Sequence, residues 1–299
     1  MSNEYLRNVL ASQSLADDSE ELKSLQQHRA DVEKLLKEKF PKAKLTIRYG
    51  GSKAKGTLIK ASYDLDVIGY FDRDETAAGD TLKDIYDNVA LALAEKYQVE
   101  RRTSALRLRV LDPNGQGSDL HIDIVPGRYT DDTRTDVYLH QNLANKDRLK
   151  TNLQTHIDHV RDSGVTDAIR LMKLWKVLNA IGLKTFVLEL LVIDLLAGKT
   201  NWGLTDQLTH ILTELRDNSE ELTVEDPANP SGNDLTETLD QHRNTLQWVA
   251  KRTLETVSSH GWESVFGKVE EEAKDEKIRK LHRVATAAVP IRPYAKIKN

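Results

Sequence analysis

The hydrophobic pattern of this chain changes period twice, and no other feature constrains its fold as tightly. Through residue 40 the apolar positions Leu22, Leu25, Val32, Leu35 and Leu36 recur at helical spacing among charges, and Pro41 ends the run. Residues 44–49 (KLTIRY) then read as a strand, which Gly50, Gly51 and Ser52 break. Residues 64–71 (DLDVIGYF) read as a second strand, and 82–97 have helical spacing. Residues 105–111 (ALRLRVL) alternate strictly. Pro113, Asn114 and Gly115 turn the chain, and 120–125 (LHIDIV) complete a hairpin that Pro126 and Gly127 stop. From about Leu139 the signal is nearly all helical, so the pattern implies an α+β fold: a mixed sheet in the first half, helices in the second and a helix at the N-terminus.

In the second half, residues 167–181 are amphipathic, with Leu171, Leu174, Trp175 and Leu178 on one face and Arg170, Lys173 and Lys176 or Val177 on the other. Residues 185–196 read as a buried helix, and 225–234 (EDPANPSGND) as the most turn-rich loop in the chain. A last helix is expected over 269–283, with Glu270–Lys274 and Asp275–Arg279 pairs, followed by an extended basic tail after Pro290. A length of 299 residues allows one large domain or two closely packed ones. The division read from the pattern is 1–140 for the sheet domain and 141–299 for the helical one.

Composition removes several classes of function. There is no cysteine, so disulfides, cysteine-bound zinc and thiol catalysis are excluded. Forty-three Lys and Arg against 47 Asp and Glu give a net charge of −4, which predicts no global attraction to nucleic acid. The N-terminus lacks the apolar run of a signal peptide, and the stretch 186–197 is short and carries Glu189 and Asp194. The expectation is a cytoplasmic protein without a membrane span.

The chemistry concentrates in residues 50–71. Asp64 and Asp66 are two apart on an expected strand, so both carboxylates project from one face while Leu65 and Val67 enter the core. Carboxylates that close repel unless a cation lies between them, and magnesium is the usual one. Asp123, between the core-facing Ile122 and Ile124, is the expected third acid. Three carboxylates can hold two magnesium ions about 4 Å apart, enough to activate a hydroxyl and stabilise a leaving pyrophosphate. Gly51 and Ser52 just upstream suit a phosphate, with Lys53, Lys55 and Lys60 around them. His121 shares a strand face with Asp123; a surface or satisfied histidine is its plainer reading.

The order Gly-Ser, then D-x-D, then a single Asp in a later strand resembles the DNA polymerase β-like nucleotidyltransferases. Residues 170–176 (RLMKLWK) and 184–191 (KTFVLELL) resemble the helix pair of oligoadenylate synthetases and cyclic GMP-AMP synthase-like enzymes. Residues 226–233 (DPANPSGN) are similar to a loop of the oligoadenylate synthetases. The resemblance spans about residues 45 to 235 and points to the bacterial cyclic-oligonucleotide synthases (CD-NTases) of anti-phage signalling.

That resemblance implies a polymerase β-like core packed against a C-terminal helical domain, and a magnesium-dependent transfer that joins nucleoside triphosphates into a cyclic di- or trinucleotide. Asp64, Asp66 and Asp123 would hold two magnesium ions, with manganese able to substitute. Gly51 and Ser52 would bind the donor β- and γ-phosphates, and Lys173 would reach the triphosphate. Thr185 matches a phosphate contact and Phe186 the aromatic that stacks on the donor base. Plainer roles stay open for these last three: a solvated lysine, a helix N-cap and a core aromatic. Asn233 is open between the base pocket and a structural loop. The rival readings are a tRNA nucleotidyltransferase, either CCA-adding or toxin-like, and an inactive nucleotide sensor. No nucleic-acid activator is expected. A regulatory partner protein, as in some bacterial relatives, and an effector of the cyclic product are implied.

Overall fold

A computed structural model of the chain describes residues 2–15, 19–112 and 117–269. The expected turn at 113–115, the last helix and the basic tail lie outside them, except for Val269.

Seven strands form one mixed sheet. They are β1 (Leu45–Tyr49), β2 (Leu65–Phe71), β3 (Tyr97–Arg101), β4 (Leu106–Val110), β5 (Asp119–Tyr129), β6 (Val137–His140) and β7 (Arg148–Thr151). The order is β1-β2-β5-β4-β3, and β6 and β7 extend the far end of β5. β2 runs parallel to β5, and the remaining pairs are antiparallel. Two helices cover one face: α2 (Glu20–Lys39), which Ser19 caps by accepting from the Leu22 amide, and α4 (Leu82–Ala94), closed by a Thr81–Asp84 capping box. Leu65, Val67, Phe71, Ile122 and Ile124 bury fully or nearly so beneath them. Alternation then sends Asp66 and Asp123 to the opposite face.

That opposite face carries α3 (Gly51–Lys55) and α5 (Leu153–Arg161), which pack on each other. Beyond them lie α6 (Thr166–Leu178), α7 (Thr185–Leu195), α8 (Leu204–Asp217), α9 (Thr236–Asp240), α10 (Arg243–His260) and α11 (Glu263–Phe266). They build a second core around Trp175, Leu188, Leu191, Ile211 and Leu215. The N-terminal α1 (Ser2–Ser12) joins this second core through Leu6, Val9 and Leu10. The helical pattern of residues 1–40 is thus two helices, of which the second packs on the sheet.

The structure departs from the sequence pattern at four places. The helix expected over 82–97 stops at Ala94, and Tyr97 opens β3. β5 runs through Pro126 and Gly127; Pro126 pairs in register with Gly69, and Leu139 packs too close to Gly127 for a Cβ. The sheet continues past residue 140 into β7, a short strand with one large apolar residue. Leu178, placed with the apolar face, is 52% exposed. Among the described residues no helix is long and apolar enough to cross a membrane.

The helical core holds one polar bond that burial makes costly to lose. The indole N–H of Trp175 donates to Thr253 Oγ1 at 2.9 Å, and both side chains are buried. Thr253→Val is expected to lower unfolding free energy by about 1–3 kcal/mol in urea titration, because it strands the indole donor.

Candidate active site

The register of β2 on β5 sets Leu65 against Ile122 and Asp66 directly against Asp123. Asp64 lies one residue before β2, and β4 places Arg107 opposite Asp123. The three acids named from the sequence therefore meet at one end of the sheet. A fourth joins them. β5 bulges at Leu120 and His121, so that Asp119 pairs with Arg109 while Ile122 pairs with Leu108. His121 takes up a left-handed backbone (φ 55°) and donates its amide to Asp119 Oδ1 at 2.7 Å.

Arg107 organises these acids. Its Nε and Nη2 donate to the two oxygens of Asp123 at 2.6 and 2.8 Å, a bidentate pair. Its Nη1 donates to Asp64 Oδ1 at 3.0 Å and to Asp119 Oδ2 at 3.2 Å. Burial pulls on the guanidinium, but its acidic partners outweigh that and raise its pKa. His121 Nδ1 lies 3.4 Å from Asp64 Oδ1, and its ring packs on Tyr63. Burial pushes the Asp64 carboxyl up, yet His121 and Arg107 together hold it below the ordinary value. The Asp64 bond in turn raises His121.

Asp66 has no such relief. Burial, then the charges of Asp123 and Asp64, push its carboxyl up to about 7, against the pull of Lys55 and Arg107. Gly51 leans on it: a Cβ there would fall 1.9 Å from Asp66 Oδ2, and φ is +71°. The preceding amide, Gly50 N, donates to the Asp66 carbonyl at 3.1 Å, so the glycine turn rises directly off the acid-bearing strand. The short α3 that follows closes at Gly56.

Opposite the acids, α3 meets α6 and α7 through a buried cluster of charges. Glu189, 1% exposed, accepts from Lys55 Nζ at 2.8 Å and from Thr57 Oγ1 at 2.7 Å. Lys173 donates to the Thr57 carbonyl at 2.7 Å, and Lys176 donates to Thr185 Oγ1 at 2.8 Å. Burial pushes Lys173 down to about 8, with Glu189 opposing and Lys55 and Lys176 reinforcing; burial also lowers Lys176. Lys173 is therefore not on a solvated face. Thr185 is the first residue of α7, and its cap position is Lys184. Phe186 is partly buried, with Lys55 Nζ 4.5 Å from its centroid and the His156 ring 4.5 Å away. Asn233 braces the loop: it donates to Asp226 Oδ2 at 2.7 Å, while His156 meets Asp226 Oδ1 at 2.6 Å.

Sequence reasoning missed Arg107, Asp119 and Lys176. Counting the expected 105–125 hairpin about its turn sets Arg107 opposite His121; the register shift of the bulge, which has no signal in the pattern, moves Arg107 opposite Asp123 and brings in Asp119. The acids offer hard carboxylate oxygens of the kind magnesium takes, and burial, then the charges of Asp123 and Asp64, raise the Asp66 carboxyl. In this arrangement the Arg107 guanidinium lies among them, and no three His, Asp or Glu of the described residues are grouped so as to hold a metal ion.

Two outcomes follow from this geometry. Gly51→Ala is expected to cost about 1–3 kcal/mol from its left-handed backbone, which melting curves check. Asp66, raised in the folded state, binds a proton that the unfolded chain has lost between about pH 4 and 7. In EDTA, stability is therefore expected to fall across that window, with a limiting slope of about 1.4 kcal/mol per pH unit from this group. Asp66→Asn removes that slope.

No protein-family model and no curated protein sequence matches the chain. Solved structures do match it. CdnC from E. coli, in a structure with ATP, is 18% identical at a TM-score of 0.66, over 90% of this chain and 98% of the other. The same protein in a complex with HORMA-deltaN is 19% identical at 0.64, over 91% and 98%. The Bradyrhizobium diazoefficiens CD-NTase CdnG, in complex with GTP, is 13% identical at 0.64, over 95% and 97%. Vibrio cholerae DncV, a cyclic AMP-GMP synthase and prokaryotic cGAS homolog, is 15% identical at 0.56, over 89% and 84%. At such identities the likeness is one of fold, and the fold of this chain is that of the bacterial CD-NTases.

Proposed function

We propose that this protein is a magnesium-dependent nucleotidyltransferase that joins nucleoside triphosphates into a cyclic di- or trinucleotide, a signal in anti-phage defence. The observation that carries the reading is the register pair Asp66–Asp123, with Asp64 beside it, at the foot of the Gly51–Ser52 turn. The solved structures of the same fold include synthases of cyclic dinucleotides and complexes with ATP and GTP.

On this reading Asp64, Asp66 and Asp123 hold the metal ions, which supply charge neutralisation for the phosphates and an acidified hydroxyl. Gly51 and Ser52 bind the β- and γ-phosphates of the donor. The charges of Lys55, Lys173 and Lys176 favour a polyanion over the mouth of α3. Thr185 adds a hydroxyl to that surface, and Phe186 supplies the aromatic surface for the donor base. The 2′- or 3′-hydroxyl of the acceptor attacks the donor α-phosphorus in line. The new bond is P–O, the bond to the β-phosphate oxygen breaks, pyrophosphate departs, and Asp123 accepts the hydroxyl proton. Positioning and charge stabilisation carry the rate, and the protein forms no covalent bond to the substrate. Regulation by a partner protein is part of the proposal, as is an effector that reads the product; CdnC, of the same fold, is seen in a complex with HORMA-deltaN. Activity without a nucleic-acid activator is the accompanying expectation.

The protein incubated with the four ribonucleoside triphosphates and magnesium should release pyrophosphate and give a cyclic product by mass spectrometry. Asp66→Ala and Asp123→Ala should each cut the rate by about a thousandfold or more, with the melting temperature retained in Asp66→Ala. Labelled tRNA ends would move the assignment to a tRNA nucleotidyltransferase, and absence of turnover with bound nucleotide to a sensor.

A further inference from the structure

The acids to which the proposed function gives the metal ions already hold a cation of the chain's own. Arg107 spends Nε and Nη2 on the two oxygens of Asp123 at 2.6 and 2.8 Å, and Nη1 on Asp64 Oδ1 at 3.0 Å. A planar guanidinium that grips one carboxylate bidentately and reaches a second fixes both. A divalent cation at contact distance from the same oxygens would be strongly repelled by it. Arg107 and such a cation therefore compete for the same atoms.

The Arg107 side chain is only 14% exposed, so losing these partners without a replacement would leave a charge unpaired in a largely buried place. Asp119 supplies the replacement. Its oxygens lie 3.4 and 3.2 Å from Nη1, the nitrogen that also serves Asp64. Nη1 has two hydrogens for these three acceptors, so Asp119 is underused while Asp64 is engaged. The bulge of β5 fixes Asp119 in this position, because the His121 amide donates to its Oδ1 at 2.7 Å. Arg109, opposite Asp119 in register, is paired with Glu100 at 3.2 Å. The Asp119 side chain is 27% exposed against 18% for Asp123, so a guanidinium that changes partner moves toward water.

We infer that Arg107 is the resting counter-ion of the acid cluster, and that Asp119 is a positioning residue that takes over the guanidinium when a divalent cation binds. The inference rests on the proposed function and adds to it a fourth acid whose task is distinct from ligation. Asp64 and Asp123 hold either the guanidinium or the cation, one at a time; Asp119 holds only Arg107. The cluster is thereby neutralised in the absence of a cation, and the charge that neutralises it has a place to go.

Manganese(II) binding to the full chain, read from the loss of the free ion's electron paramagnetic resonance signal, tests the exchange without turnover. Arg107→Met should tighten manganese about tenfold or more. Its melting temperature, lowered in EDTA by the unneutralised acids, should rise further with manganese than that of the wild type. Asp119→Asn, which keeps an oxygen for the His121 amide, should weaken manganese about tenfold. The same change made in Arg107→Met should shift binding by less than about threefold, because no guanidinium is left to house. If Arg107→Met does not fold, Arg107→Lys gives the same test: one ammonium cannot span Asp123 and Asp64 together, so manganese should tighten about threefold or more and the Asp119 effect should shrink. An equal loss on Asp119→Asn with and without Arg107 makes Asp119 a ligand or a bare charge and overturns the inference, as does a manganese affinity that Arg107→Met leaves unaltered. A chain that binds no manganese whether Arg107 is present or replaced overturns the proposed function itself, a result distinct from both.

Discussion

The parallel pairing of β2 with β5 is the constraint on which the rest of the site depends. It places two carboxylates side by side on neighbouring strands, at the spacing of about 4.8 Å that hydrogen-bonded strands impose. Nothing favourable to stability comes from that juxtaposition alone. It is enforced from the other side of the sheet, where Leu65, Val67, Ile122 and Ile124 bury beneath α2 and α4. A slip of one residue would turn the acids into that apolar layer and the aliphatic side chains toward the site. The hydrophobic face thus fixes the register, and the register fixes a repulsive arrangement that the opposite face must then neutralise. Arg107 does so in this structure by dividing its guanidinium among Asp123, Asp64 and Asp119.

A second device joins the helical half to the sheet. Thr57 receives Lys173 at its carbonyl and gives its hydroxyl to Glu189, so one buried residue is gripped from both α6 and α7. Because its amide holds the Ser52 carbonyl, movement of the helix pair against the sheet would pull on the glycine–serine turn. Burying Glu189 without partners would be severely destabilising; burying it with Lys55 and Thr57 makes the junction specific.

Much of this was legible in residue order, and the reasons differ from one residue to the next. Asp66 and Asp123 each sit between aliphatic residues, so alternation alone sends both to the polar face. Gly51 announces a backbone that a side chain would obstruct, and the structure supplies the obstructing atom, Asp66 Oδ2. Lys173 was misleading for a physical reason: helical periodicity groups it with Arg170 and Lys176, but periodicity reports the face of a helix, not whether another element covers it. Here α3 and Thr57 cover it, while Lys176 stays half-exposed. β3 escaped notice because its apolar residues, Tyr97 and Val99, continue a helical run, and β7 because four residues with one leucine carry almost no period.

Taken together, the site consists of two clusters of opposite sign set against each other. The acids gather around Arg107; the lysines Lys55, Lys173 and Lys176 share Glu189 as their buried anion. Each cluster keeps a surplus of its own sign: one guanidinium is divided among Asp123, Asp64 and Asp119 with Asp66 beside them, and one buried carboxylate, Glu189, pairs with Lys55 while Lys173 and Lys176 stand near it. A ligand that is only an anion would satisfy the lysines and be repelled by the acids, and a bare cation would meet the reverse. A divalent metal bound to a polyphosphate carries both signs in one molecule, in the order in which the two clusters are arranged. The proposed substrate follows from that complementarity as much as from the three aspartates. Arg107 adds a further condition, because the oxygens of Asp123 and Asp64 that it holds are the ones a metal would need. Any cation that enters must exchange with the guanidinium, and Asp119, already 3.2 Å from Nη1, is the partner that can retain it.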